Sequence, residues 1–69
     1  MTNTELLEQK IKESGKKKGY LAERCSLSRT GFRNCVLNEA EFNGTQISIL
    51  CEELKITSLR EKEAIFFAK

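Results

Sequence analysis

Lys18 to Leu37 reads KGYLAERCSLSRTGFRNCVL, and the architecture turns on these twenty residues. Leu21, Ala22 and Cys25 form an apolar i, i+1, i+4 stripe, which predicts a helix from about Lys17 to Cys25. Cys25-Ser26-Leu27 then makes a turn. Ser28 is a good N-cap, and a second helix is expected from there to about Leu37. Phe32, Cys35 and Val36 form its buried stripe, leaving Arg29, Thr30, Arg33, Asn34 and Leu37 on the other side. A small residue, Ala22, sits where two crossing helices must approach, and Leu27 plugs the turn. The start of the first helix is poor. It has no capping side chain, Lys16, Lys17 and Lys18 oppose the helix dipole, and Gly19 falls in its first turn. A nearby anion would relieve that repulsion, and a frayed end is the alternative.

Outward from this segment the apolar spacing stays helical, and no stretch alternates with period two over strand length. A first helix is expected from about Asn3 to Ser14. Thr2 and Glu5 would form its capping box, Met1 and Leu6 its hydrophobic staple, and Gly15 its C-terminal stop. Leu7 and Ile11 share one face. A fourth helix starts at Asn43, with Gln46 completing an amide version of the box and Phe42 and Ile47 at the staple positions. Ile47, Leu50, Cys51 and Leu54 carry its apolar face. A fifth starts at Ser58, with Glu61 three residues on, and continues through Leu59, Ala64, Ile65, Phe66 and Phe67. Five short helices with short connections predict a compact all-α bundle forming one domain over residues 1–69.

Composition narrows the function classes. A 69-residue chain buries only about 60% of its unfolded surface, so a deep catalytic cleft is not expected. The absence of His removes the commonest neutral-pH acid/base and metal ligand. Cys25, Cys35 and Cys51 are odd in number and form no C-x-x-C, so they read as reduced apolar thiols of a cytosolic protein. No nucleophile–base pair, metal cluster or phosphate loop is visible, and neither an enzyme nor a cofactor is expected. Glu52, Glu53, Glu61 and Glu63 read as solvated helix faces. No apolar run reaches the ~20 residues of a membrane span, and Glu8 follows Leu6-Leu7 too closely for a signal-peptide core.

Net charge is only +2, but it is unevenly distributed. From Lys16 to Asn38 six basic residues face the single acid Glu23, a local balance of +5, and both flanks are mildly acidic. Such asymmetry is the electrostatic footprint of a polyanion partner or, more plainly, a solvated basic face.

Residues 18–37, with their Ala22-to-Leu27-Ser28 spacing, resemble the helix-turn-helix of the lambda-repressor/Cro-like family. The resemblance extends over essentially the whole chain. The stretch from Asn38 through ISILCEELKI is similar to the family's fourth helix, and the LREKEAIFFAK ending to the tail of small phage-encoded regulators of Gram-positive hosts. Three departures stand out. Ser26 replaces the usual turn Gly in a left-handed position, Lys18 replaces the usual Gln, and Gly31 lies inside the second motif helix.

The resemblance implies a five-helix lambda-repressor-like DNA-binding domain whose recognition helix, 28–37, enters the major groove of operator DNA. Arg29 and Arg33 would fork onto guanine, Asn34 would read adenine, and Thr30 would meet a thymine methyl or a phosphate. Ser28 would hold a phosphate, with Lys16, Lys17, Lys18 and Asn38 as flanking backbone contacts. A Cro-like role in a lysis–lysogeny switch, in the cytoplasm of a bacterial host, follows as the expectation. The alternative is an antirepressor that engages the DNA-binding domain of the cognate phage repressor through the same basic helix, a role that suits the outward Leu37. Ile65, Phe66 and Phe67 are consecutive, so one helix face cannot bury all three: core closure with at least one side chain pointing away or packing on the first helix is the plain reading, and a homodimer or partner surface is the alternative.

Overall fold

A computed structural model describes residues 1–68. Among them are five helices and no strand: α1 (Thr4–Ser14), α2 (Lys18–Arg24), α3 (Arg29–Val36), α4 (Gly44–Glu53) and α5 (Leu59–Phe66). All contribute to one apolar cluster centred on Leu7, Leu21, Phe32, Leu50 and Ile65, each nearly or wholly removed from water. α2 packs most extensively on α3, with Ala22 buried at 2% exposure and Leu27 half-buried in the connection. Phe42 bridges two aromatic partners edge-on, Phe32 at 5.7 Å and Phe66 at 6.0 Å between ring centroids. This chain of rings ties α3 to α5.

Helix starts follow local chemistry. Ser28, Asn43 and Ser58 each accept from the backbone N–H three residues on, and at Asn43 the Gln46 side chain returns the bond. α1 departs from expectation. Its cap is Asn3, which accepts from the Leu6 N–H at 3.1 Å, and Thr2 and Glu5 form no box. Tertiary contacts decide this one-residue slip. Thr2 is buried, its N–H donating to Asn38 Oδ1 at 2.8 Å and its carbonyl accepting from Asn38 Nδ2 at 2.7 Å. Thr4 Oγ1 donates to the Val36 carbonyl at 2.6 Å, and the Asn3 N–H to the Ile65 carbonyl at 2.6 Å. With the cap moved, Thr2 and Leu7 take the staple positions, and Met1 and Leu6 stay exposed.

α2, α3 and α4 end alike. The residue beyond each C-cap is left-handed without being glycine: Ser26 (φ 59°), Asn38 (φ 65°) and Lys55 (φ 57°). Each time the next N–H reaches back five residues, Leu27 to Ala22, Glu39 to Asn34 and Ile56 to Cys51, at 2.8–2.9 Å. These are Schellman closures. The left-handed form costs an L-residue about 1–2 kcal/mol, and a glycine gives back part of that relief as unfolded-state entropy. Lys55→Gly is therefore expected to raise stability by about 0.5–1 kcal/mol, and the midpoint of thermal unfolding by about 4 °C, read by circular dichroism.

Candidate functional site

The basic segment does not present all its charge. Lys16 Nζ lies 2.7 Å from Glu53 Oε1 and also donates to the Glu53 carbonyl at 2.8 Å. Arg24 Nε reaches Glu53 Oε2 at 2.8 Å, and the Tyr20 hydroxyl donates to the same carboxylate at 3.2 Å. Glu53 is only 10% exposed, so the expectation of a solvated face fails there: its carboxylate is the fastener between the segment entering α2 and the end of α4. Glu61 also pairs, with Lys10 at 2.8 Å.

Bonds from Lys16, Arg24 and Tyr20 hold the Glu53 carboxyl down at about 2, against an ordinary 4.5. A depressed carboxyl stabilises the fold above its unfolded value and loses that contribution as acid protonates the folded form. Stability is expected to decline as pH falls from about 4.5 toward about 2. Glu53→Gln should flatten that limb of the pH–stability curve while lowering stability at neutral pH, measured by urea unfolding.

Lys18 is also occupied, its Nζ 2.8 Å from Glu8 Oε1. The anion that three successive lysines call for is thus supplied from α1 and α4. Lys17, Arg29 and Arg33 are exposed and make no ion pair among the described residues.

α3 places the remaining candidates. Ser28 accepts from the Gly31 N–H at 3.0 Å, and a Cβ on Gly31 would lie 3.2 Å from Ser28 Oγ. The glycine inside this helix accommodates its own cap. Arg29 arches back over α2: a Cβ on Gly19 would come within 3.0 Å of Arg29 Nη2. Gly19, a flaw in α2 by propensity, leaves room for that guanidinium. Thr30 is exposed beside Arg29.

Between α1, α2 and α3 runs a groove of about 580 Å³. Lys17, Lys18, Arg29 and Arg33 line it as cations and Glu8 as its one acid, with Phe32, Val36 and Leu37 as the apolar wall. Leu37, 45% exposed, lies at its edge as the C-cap of α3. The arrangement can pair with anionic oxygens while covering an apolar group.

Two expected contacts are otherwise engaged. Asn38 holds the Thr2 backbone from both ends of its amide, and its left-handed φ closes α3, so it is a structural clasp. Asn34 is half-buried. With its amide nitrogen assigned toward the surrounding oxygens, it donates to Glu39 Oε2 at 3.1 Å and the Thr30 carbonyl at 3.3 Å. At the C-terminal end core closure holds, and the alternative dimer surface shrinks to one residue. Ile65 and Phe66 are 1% and 3% exposed within the chain's own core, and only Phe67 of the three, at 55%, is available to a partner.

Burial raises the pKa of all three thiols, keeping them protonated. Among the described residues no helix is long and apolar enough to cross a membrane. Compared with protein-family models, curated proteins and solved structures, the chain finds no match.

Proposed function

We propose that this chain is a helix-turn-helix DNA-binding transcriptional regulator, a Cro-like component of a phage lysis–lysogeny switch acting in the bacterial cytoplasm. α3 is its recognition helix and operator DNA its partner. The observation that carries this reading is the distribution of paired charge. Lys16, Lys18 and Arg24 are matched by carboxylates, and Arg29 and Arg33 of α3 are exposed without an ion pair among the described residues. Arg29 and Thr30 follow a capped helix start, the end that faces base edges in such a motif. Four residues, Cys25 to Ser28, join the short α2 to α3, and Ala22 of α2 is buried.

Fluorescence anisotropy on duplexes flanking the chain's own gene tests the reading. The groove's three cations without an ion pair among the described residues, Lys17, Arg29 and Arg33, set the expected slope of log K against log salt at about −3 per bound chain. Binding should also favour one duplex over a scrambled one of equal composition. No salt-dependent binding would overturn the reading.

A second reading rests on the same groove. Exposed Leu37 and the apolar wall of Phe32 and Val36 suit a protein surface better than a phosphate backbone. On that reading the chain is an antirepressor that engages the DNA-binding domain of the cognate repressor. Complex formation with that repressor in the absence of DNA, lost in Leu37→Ser, would favour it.

A further inference from the structure

Two kinds of ion pair hold the basic segment. Glu53 is shielded, takes three side-chain donors and joins separate helices. The Glu8–Lys18 pair is open, with side chains 42% and 58% exposed, and it lies in the groove beside Lys17 and Arg29. Within it Glu8 Oε1 is out of water and accepts no well-directed hydrogen bond, although Lys18 Nζ is 2.8 Å away. The Lys18 contact to Oε2, at 2.9 Å, is the one with hydrogen-bond geometry. Glu8 is thus a poorly satisfied acceptor holding a cation within reach of anionic ligands. A phosphate is a stronger acceptor for that ammonium, and the Glu8 charge repels it.

We infer that Glu8 is an internal competitor for the DNA backbone: it holds Lys18 in the free protein, and a phosphate of the bound duplex takes its place. This rests on the DNA-binding reading above. Exchange of one ion pair for another leaves Lys18 contributing little net affinity, which makes Glu8 an affinity-setting residue outside the recognition helix. Lys16 and Arg24, locked to Glu53, do not exchange.

The test is a double-mutant cycle on duplex DNA from the flanks of the gene, read by anisotropy across a salt series, with circular dichroism confirming the fold of each variant. Glu8→Gln should bind about fivefold tighter at 50 mM salt, as expected for freeing the Lys18 ammonium to pair with a phosphate at no cost of a broken ion pair. Its salt slope should steepen by about 1, one further phosphate neutralised. Lys18→Gln alone should weaken binding by about twofold, a small loss because the phosphate contact it removes is offset by the Glu8 pair that no longer has to be broken. The double variant should return to the parental affinity and slope. Binding by the parent with no gain in Glu8→Gln overturns the proposal alone, as does a gain that survives loss of Lys18. Failure of every variant to bind duplex DNA overturns the DNA-binding reading and the proposal with it.

Discussion

Phe32→Ala is expected to leave the chain largely unfolded at room temperature. Phe32 is 2% exposed, lies on the face of α3 that meets the core, and stacks edge-on against Phe42, which stacks in turn against Phe66. Truncating a buried Phe costs about 3–5 kcal/mol in lost transfer energy and residual cavity. At roughly 0.05–0.15 kcal/mol per residue, a chain this short has about 3–10 kcal/mol in total. Loss of the Phe32 ring also unlinks Phe42 from α3, removing one of the ties between α3 and α5. Phe32→Leu, which keeps most of the volume, should cost well under half as much. Urea unfolding followed by far-UV circular dichroism checks both. A loss below about 1 kcal/mol in Phe32→Ala would mean that α3 is not anchored as described.

The second large effect is functional. Arg29→Ala/Arg33→Ala should reduce affinity for the specific duplex at least 100-fold, since a well-placed Arg fork on guanine contributes about 1–3 kcal/mol of discrimination. It should also reduce the salt slope by about 2. Stability should change by no more than about 0.5 kcal/mol, because neither side chain is buried or ion-paired among the described residues. Arg→Lys at the same sites separates charge from geometry. Lysine keeps the phosphate attraction and loses the fork, so salt dependence should persist while preference between duplexes falls. Equal losses on specific and scrambled duplexes would make the two arginines backbone contacts only.

What was legible in the sequence was local. The caps at Ser28, Asn43 and Ser58 involve residues three apart, so their partners stand in one window of sequence. Ala22, Leu27, Phe32 and Cys35 were legible because burial at a helix crossing depends on size and apolarity. Glu53 was not, because two acids in a row look solvated until a fold brings Lys16, Tyr20 and Arg24 to them from 29 to 37 residues away. Glu8 was hidden for the same reason, although a lysine run without a cap did signal that some anion was needed. The left-handed Asn38 and Lys55 gave little warning, since such positions are recognised by glycine and neither is one. Asn38 was read as a surface contact because its partner Thr2 lies 36 residues away. The slip at the start of α1 has the same origin. Thr2 and Asn3 are comparable caps by themselves, and long-range bonds choose between them.

On the DNA-binding proposal, α3 and the groove beside it form the surface that meets the duplex. A heteronuclear NMR titration of the labelled chain with a duplex from the flanks of its gene tests this directly. The amide and side-chain signals expected to move are those of Lys17, Lys18, Gly19 and Ser28 to Arg33, together with the Arg29 and Arg33 guanidinium groups. Signals of Met1, Leu59 and Phe67, exposed elsewhere on the chain, should stay in place. Shifts centred on Met1 and Phe67, or none at stoichiometric duplex in low salt, would contradict it.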